Sequence, residues 1–397
     1  MADSLPIAAL TIHRLAIPMR VRFHHAAAER SVADPIVVAL ELADGTVGYG
    51  ETLPRPYVTG ETDEDVIATI RDVFVPILVE VHPANFGQVI EAAASLPLFD
   101  RGGRVITAAR AAVELALLDV YGRAFGRSLD TLAGWFDEPW LGRPGSRDTV
   151  RFSGVVSGAD PRRACRTIRK MRLYGLRDFK LKVGDAGDRA RVEACMSLLG
   201  GKIAAAKATL RLDANGAWSP DEAAARLRLW QTLPIACVEQ PVSKSNPDGW
   251  VALAGRVSLP LMADESLVTP DDAERLAAVR GPVWFNIRIS KNGGLMPAIQ
   301  LAVIAHRHGV PYQLGCMVGE TSILSAAGRW FLQLVPAVRF AEGSFGTFLL
   351  RDDVVAKPLR FRYGGRWTPQ AGPGLGIEVK EDRLQRLSLT PPVRIPF

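Results

Sequence analysis

Short apolar segments that end in a charged side chain recur at nearly constant intervals in the second half of the chain. Measured from Lys182 through Asp213, Glu239 and Asp264 to Ile289, the steps are 31, 26, 25 and 25 residues. Strands alternating with helices at this interval favour a parallel sheet, and eight such units close into a barrel. An open doubly wound sheet is the alternative, but no G-x-G-x-x-G motif follows a first strand. The predicted strands are 150–156, 179–183, 210–213, 235–239, 261–264, 284–289, 312–315 and 339–342.

The segments on either side of the predicted barrel have a different pattern. Residues 7–50 predict strands with a hairpin through Asp44-Gly45, and residues 62–134 predict helices, the first of them capped by Asp63. A Gly- and Pro-rich stretch near residue 144 indicates a boundary, and the strand–helix pattern fades after about residue 345. We therefore expect an α/β chain with three parts: an N-terminal α+β capping domain (1–140), a (β/α)8-type barrel (148–345) and a C-terminal segment that packs on the capping domain (346–397).

Composition narrows the class of protein. The 397 residues are 48% hydrophobic with a net charge of +6, and the four cysteines include no C-x-x-C pair, so neither a zinc site nor a disulfide framework is indicated. Residues 1–20 lack a signal-peptide pattern, and no apolar run reaches about 18 residues, which predicts a soluble, cytoplasmic protein without a membrane partner. The basic run at 162–172 has no interleaved aromatics and predicts a solvated helix face, not a nucleic-acid surface.

Three carboxylates end three successive predicted strands, at the barrel face where active sites of this fold lie. They are Asp213, Glu239 and Asp264. Lys180 and Lys182 share one face of the preceding strand, where their repulsion should hold at least one pKa below about 10.4. Buried carboxylates require a cation, and oxygen ligands with open positions suit Mg²⁺. The alternatives are that each acid caps a helix and that both lysines are solvated.

At these residues the chain resembles the muconate-lactonizing (muconate cycloisomerase) subgroup of the enolase superfamily. The resemblance implies the enolase-superfamily variant of the barrel, a homo-oligomer, Lys182 as the acid/base catalyst and Lys180 as its electrostatic partner. It also implies Mg²⁺ ligands at the three strand-end carboxylates, with Asn215 and Glu265 beside them. The matching motifs are Lys180-Leu181-Lys182, Asp213-Ala214-Asn215, Glu239-Gln240-Pro241, Asp264-Glu265-Ser266, Lys291-Asn292-Gly293-Gly294 and Gly48-Tyr49-Gly50-Glu51.

The same resemblance implies that the loop at 22–28 and the segment 57–60 help to choose the substrate. Candidate substrate contacts there are His24, His25 and Tyr57. Glu320 is a further candidate, because the subgroup often has a glutamate in the loop after the seventh strand. The spacing around Glu320 differs by one residue, and the alternative is that it caps the following helix.

Two positions depart from the subgroup. Its sixth strand usually carries Lys-x-x-Lys-Asn-Gly-Gly, but Arg288 stands at the first of these positions. Arginine keeps its proton at any working pH, so it is a poor general base and argues against two-base racemisation unless Lys291 reaches inward. Dipeptide epimerases carry Asp-x-Asp near the eighth strand, whereas the matching place here is Glu342-Gly343-Ser344.

These features predict Mg²⁺-dependent abstraction of the proton alpha to the carboxylate of a small-molecule substrate, through an enediolate, with Lys182 as base. One-base cycloisomerase chemistry leads. A syn-dehydratase, an o-succinylbenzoate synthase-like lyase, or an amino-acid-derivative racemase or epimerase using Lys291 remain alternatives. Outside this class, Lys182 could be the nucleophile of a Schiff-base lyase, or the barrel could serve as a binding protein without activity. The identity of the substrate stays open.

Overall fold

A computed structural model of the chain describes residues 5–25, 28–143, 150–158 and 160–397, with the side chains of 22–29 outside that description. The strands in this part form a seven-stranded parallel sheet, a four-stranded antiparallel sheet and a two-stranded hairpin. No helix within the described residues is both long enough and apolar enough to cross a bilayer.

The N-terminal strands form the antiparallel part of the fold. Strands β2 and β3 pair with each other, and β4 pairs with both β1 and β5. The predicted hairpin is confirmed between β4 and β5, where the Asp44 carboxylate accepts a hydrogen bond from the backbone N–H of Thr46 at 2.9 Å. The strands are β1 (Ile7–Arg14), β2 (Ile17–His25), β3 (Ala28–Ala33), β4 (Ile36–Leu42) and β5 (Val47–Thr52).

The helices that follow cover this sheet. The first is not capped by Asp63 as predicted: Asp63 is its first residue, Thr62 is its N-cap, and Thr62 and Asp65 form a reciprocal capping box. Helix α4 is the central element, because nearly all of its side chains are buried between the sheet and the barrel. The helices are α1 (Asp63–Thr69), α2 (Val75–Val79), α3 (Phe86–Ser95) and α4 (Thr107–Ala124), with a π-helical turn at Ile70–Phe74 and a 3-10 helix at Leu129–Phe136.

Parallel strands and helices alternate from residue 154 onward, as predicted. The seven strands are hydrogen-bonded in chain order, and Ala341 bridges both Leu314 on the last strand and Phe152 before the first, which closes the barrel. The strands are β6 (Gly154–Val156), β7 (Asp178–Lys182), β8 (Thr209–Asp213), β9 (Val238–Glu239), β10 (Leu261–Ala263), β11 (Val283–Ile287) and β12 (Tyr312–Leu314). The helices are α5 (Pro161–Leu173), α6 (Asp188–Ala204), α7 (Pro220–Trp230), α8 (Pro247–Ala254), α9 (Pro270–Ala277), α10 (Leu295–Arg307) and α11 (Ser322–Leu334).

Several strand ends differ from the predicted ones. Strand β11 stops at Ile287 instead of residue 289, and β10 stops at Ala263, one residue before Asp264. The eighth strand is reduced to the bridges made by Ala341. Apolar runs in the sequence mark buried backbone, but the ladder stops earlier because the chain turns into the active-site loops before the apolar run ends.

The C-terminal segment packs on the capping domain, as predicted. Strand β13 (Val393–Pro396) pairs antiparallel with β1, so that the four-stranded sheet has the order β13-β1-β4-β5. Helix α12 (Glu381–Leu387) precedes it, after two 3-10 turns at Gly346–Phe348 and Tyr363–Gly365. The chain thus returns to its first domain and ties the capping sheet to the barrel.

Candidate active site

A cavity of about 500 Å³ opens at the C-terminal ends of the barrel strands, beneath the capping domain. Charged side chains from four different parts of the barrel line it, and the capping domain contributes Tyr57 and two arginines. This is where a barrel of this kind places its active site. The polar lining residues from the barrel include Lys180, Lys182, Asn215, Glu265, Arg288 and Glu342.

Lys182 is the more accessible of the two lysines on β7. Because strand residues alternate between faces, Lys180 and Lys182 both point into the barrel and Leu181 points out to the helices. The Lys182 ammonium lies 2.7 Å from the Asp213 carboxylate and 2.7 Å from the side-chain oxygen of Asn215. Its side chain is 14% exposed, so it faces the cavity while being held by two acceptors.

Lys180 is more deeply buried than Lys182, and its ammonium contacts three carboxylates. Its ammonium is 2.6 Å from Glu342, 3.2 Å from Glu239 and 3.3 Å from Asp213. Burial by itself lowers the pKa of Lys180, but these carboxylates outweigh burial and hold it well above its ordinary value. The predicted mutual repulsion of the lysines therefore does not control the charge of Lys180, which remains an ammonium.

The first two strand-end carboxylates have opposite electrostatic surroundings. Burial together with the neighbouring Asp213 raises the pKa of Glu239 to about 8. The pKa of Asp213 is lowered although burial opposes it, because Lys182 and Lys180 both lie against this carboxylate. The lysines therefore favour the ionised form of Asp213, whereas the protonated form of its neighbour Glu239 is favoured.

Arg288, the departure from the subgroup pattern, lies on the wall of the cavity across from Lys182. It follows β11, four strands from β7 in the eight-unit barrel. Its guanidinium contacts the Asp264 carboxylate closely and lies 3.4 Å from Glu239. Although burial opposes it, these acids hold the pKa of Arg288 well above its ordinary value, so this side chain stays cationic.

Lys291 does not reach the cavity in the described structure. It lies in the turn after β11 with its side chain fully buried, and its ammonium donates to the backbone oxygens of Asp264 and Asn286 at 2.7 and 2.8 Å. A third contact, at 3.0 Å, joins it to the Asp264 carboxylate. The ammonium thus has three acceptors and orients Asp264 from behind.

Not all of the other predicted site residues can be placed at the cavity. Tyr57 and Glu265 line the cavity, and Asn215 donates to Glu265 at 3.1 Å. Burial and then Asp264 raise the pKa of Glu265 to about 7. The side chains of His24 and His25 lie outside the described residues.

Glu320 is not the cap of helix α11. It is absent from the described lining of the cavity and accepts a hydrogen bond from the backbone N–H of Met317 at 2.6 Å. Thr321 is the N-cap of α11 instead. Glu51 of the capping sheet accepts from the backbone N–H groups of Thr321 and Leu324, so a residue from another domain completes this helix end.

Sequence reasoning missed two members of the site. Glu342 contacts Lys180, and its other oxygen lies 3.0 Å from the buried guanidinium of Arg211 on β8. Glu342 ends a predicted strand, as do the three other carboxylates, and this signal was available. Arg211 precedes Asp213 by two residues on β8, so strand alternation places both on the inner face of the barrel, and this signal was available as well.

The strand-end carboxylates have the right chemistry for Mg²⁺. All three are oxygen donors from successive strands, and neighbouring pairs share a cation: Lys180 between the first two and Arg288 between the last two. In the part of the chain that the structure describes, no three acidic, His or Cys side chains lie close enough to form an assembled ion site. The donor set fits Mg²⁺ provided that the Arg288 guanidinium moves away from Asp264 and Glu239.

The Lys-Asn-Gly-Gly motif connects this site to the capping domain. Gly294 has φ +117° and ψ −168°, a conformation open essentially only to glycine. Directly after it, the backbone N–H groups of Leu295 and Met296 donate to the fully buried Glu114 of α4 at 2.6 and 2.8 Å. A carboxylate from the capping domain thereby caps the barrel helix α10.

Comparisons with known proteins agree with this architecture. Residues 8–134 match the family described as "Mandelate racemase / muconate lactonizing enzyme, N-terminal domain", and residues 163–383 match "Enolase C-terminal domain-like". An N-succinyl-L-Arg/Lys racemase from Bacillus cereus is 28% identical, over 97% of this chain and 98% of the relative. A muconate cycloisomerase from Acinetobacter lwoffii is 31% identical, over 89% of this chain and 87% of the relative.

A solved structure is also similar over almost the whole chain. The muconate lactonizing enzyme from Pseudomonas fluorescens, determined with muconolactone, superposes with a TM-score of 0.82. It is 26% identical in sequence, and the alignment covers 98% of this chain and 100% of that one. The capping domain and the barrel are therefore matched together.

Proposed function

Because this chain belongs to the mandelate racemase / muconate lactonizing enzyme family of the enolase superfamily, we propose that it is a Mg²⁺-dependent enzyme that removes the proton alpha to a substrate carboxylate. Lys182 is the base and the reaction is of the one-base, cycloisomerase type. One observation carries the proposal: Lys182 and Arg288 lie on opposite walls of one cavity. Only the lysine of this pair can exchange a proton at working pH.

Lys182 is oriented to act on a substrate in the cavity. Asp213 and Asn215 each lie 2.7 Å from its ammonium, so the side chain is fixed with few free rotamers. To accept the α-proton, Lys182 has to present the lone pair of its amine to the substrate, and Mg²⁺ held at Asp213 would supply the positive charge that this carboxylate now takes from Lys182. The lysine then returns the proton as a general acid.

The other cations compensate negative charge in the site, on the substrate and on the carboxylates around it. Bound Mg²⁺, held by Asp213, Glu239 and Asp264, would supply positive charge at the substrate carboxylate as an enediolate develops. Lys180 keeps its proton and compensates the carboxylates of the inner layer. Arg288 faces the second side of the substrate with a permanent charge, which stabilises negative charge there without accepting a proton.

Racemase or epimerase chemistry is the second candidate, favoured by the racemase that is 28% identical to this chain. Two-base racemisation needs a proton acceptor on each face of the α-carbon. On the second face this chain offers Arg288, which stays charged, while Lys291 is buried behind Asp264 with three hydrogen-bond acceptors. These contacts support the one-base reaction over racemisation.

The test follows deuterium exchange and configuration together. The Mg²⁺-loaded protein is incubated in D₂O with muconolactone and, separately, with N-succinyl-L-arginine, the compounds suggested by the relatives. NMR measures α-deuterium incorporation in both compounds, and polarimetry measures racemisation of N-succinyl-L-arginine, whose α-carbon is a stereocentre. We expect exchange with retained configuration, lowered about 10²- to 10⁴-fold in Lys182→Ala and unchanged in the exposed-site control Lys357→Ala.

The Arg288→Lys variant sharpens the test. It places a side chain that can titrate on the second face, so it is expected to gain racemisation that the native protein lacks. Racemisation by the native protein would refute the one-base proposal. Full exchange activity in Lys182→Ala would refute the assignment of the base, and retained folding of each variant is checked by circular dichroism.

A further inference from the structure

A second concave site lies at the opposite end of the barrel from the active site. Its volume is about 380 Å³, and it is formed where α5 and α6 end and where β7 and β8 begin. We call it the basic cleft. Six cationic side chains line it: Arg151, Arg172, Arg177, Lys202, Lys207 and Arg366.

None of these six cations forms an ion pair with a carboxylate in the part of the chain that the structure describes. Some exposed arginines elsewhere in the protein do have acidic partners, as in Arg189 with Glu193 at 2.8 Å. The acid nearest in sequence, Asp178, accepts a hydrogen bond from Thr209 at 2.6 Å instead. Among the described residues, the lining of the cleft contains no acidic side chain.

The fold holds the cleft in a defined shape. Gly175 has φ +83°, and a Cβ atom there would lie 2.8 Å from the ring of Tyr363, so the two segments approach closely only because residue 175 is glycine. The backbone N–H of Gly364 donates to the carbonyl of Tyr174 at 2.8 Å. Arg151 donates to the Gly364 carbonyl at 3.4 Å. The cations are therefore gathered by tertiary contacts.

Six like charges in a concave site concentrate anions more strongly than the same charges on a flat surface. Four of the six are arginines, whose planar guanidinium binds phosphate in a two-pronged way. The Tyr363 ring at the edge of the cleft is 64% exposed and offers a face on which a base can stack. We propose that the basic cleft binds an oligophosphate anion, free or as the phosphate chain of a nucleotide.

The size of the cleft favours a small ligand over a nucleic acid strand. The volume of about 380 Å³ matches a chain of a few phosphates, and Tyr363 is the one aromatic side chain in its described lining. The active-site cavity extends along α5 as far as Leu176, which also lines the cleft, so the two sites are separated there by one side chain. The proposal does not depend on the proposed reaction, because the cleft has its own residues and its own test.

The experiment is calorimetric titration of the full-length protein with inorganic tripolyphosphate and with ATP, at about 20 mM and about 200 mM salt. The test variant is Arg177→Gln/Lys207→Gln, which removes two exposed cations of the cleft. The control Arg228→Gln/Arg280→Gln makes the same change in net charge at exposed positions outside the cleft. Mg²⁺ is kept at one concentration for all variants, so its binding to the phosphates cancels in the comparison.

We expect saturable binding of tripolyphosphate that weakens at higher salt and weakens at least about tenfold in the test variant only. Tighter binding of ATP than of tripolyphosphate would identify the nucleotide as the source of the phosphates, and equal or weaker binding of ATP would identify the free anion. The proposal is overturned if neither compound binds, or if test and control variants lose affinity equally.

Discussion

The substitution Gly294→Ala tests whether the capping domain and the barrel are joined through Glu114. Gly294 has φ +117° and ψ −168°, where an alanine costs about 1–3 kcal/mol of backbone strain. A Cβ atom at this position would also collide with the Glu114 carboxylate. Glu114 has no exposed surface into which it can retreat.

The collision therefore removes a helix cap as well. If Glu114 moves, the backbone N–H groups of Leu295 and Met296 lose their acceptor inside the protein, at about 1–3 kcal/mol for each buried donor. Together with the strain, the expected loss in the free energy of unfolding is about 3–9 kcal/mol. The assay is urea denaturation followed by circular dichroism, with native protein and variant compared in the same buffer.

The matched control is Gly309→Ala, at the other end of the same helix. Gly309 also has a left-handed backbone, with φ +65°, but a Cβ atom there meets no atom within 4 Å. Its substitution is expected to cost only the backbone strain, about 1–2 kcal/mol. If Gly294→Ala is no more destabilising than Gly309→Ala, the contact with Glu114 contributes nothing and the reasoning is wrong.

Three further predictions concern buried charges. Burial raises the pKa of Glu51 from 4.5 to about 7, so the folded state binds this proton more tightly than the unfolded state. The shift contributes about 3 kcal/mol to the free energy of unfolding below about pH 4.5, and this contribution is lost as the pH rises through about 7. Glu51→Gln should reduce the dependence of the urea midpoint on pH, and an unchanged pH dependence would contradict this prediction. Without Mg²⁺, Lys180→Met should lower the free energy of unfolding by about 3–5 kcal/mol, because the ionised Glu342 loses the buried ammonium that lies 2.6 Å from it. A loss as small as that of an exposed lysine would count against this. Lys291→Met should weaken Mg²⁺ binding about tenfold to 100-fold in calorimetry, because Asp264 is no longer oriented, and equal affinity would exclude that role.

The sequence alone predicted the features that depend on local periodicity. Strand residues alternate between faces, so Lys180 and Lys182 had to share one side of β7. Short apolar runs at regular intervals specified parallel strands, and Asp213 and Glu239 do end strands β8 and β9. Side-chain direction along a strand and burial of apolar segments are decided within a few residues, so they can be read without knowing the rest of the fold.

The predictions of helix caps were wrong where more than one side chain could accept the same backbone hydrogen bond. Asp63 was predicted to cap α1, but Thr62 does so, because its hydroxyl and Asp65 satisfy backbone groups reciprocally. The alternative in which Glu320 caps α11 is wrong, because Thr321 and the distant Glu51 accept hydrogen bonds from the N–H groups at this helix end. Several side chains near each helix start could accept the same hydrogen bonds, and tertiary packing selects among them.

The tertiary structure decided which charges face one another. Closure of the barrel brings Glu342 to 2.6 Å from Lys180, and the turn after β11 directs Lys291 to the back of Asp264 while Arg288 lines the cavity. These pairs lie far apart in the chain, and the charge state of a buried group depends on every partner around it and on its loss of water. The sequence by itself determined which charged residues lie at the ends of the barrel strands. Only the packed barrel determined that Lys180 keeps its proton and that Lys291 contacts Asp264 outside the described lining of the cavity.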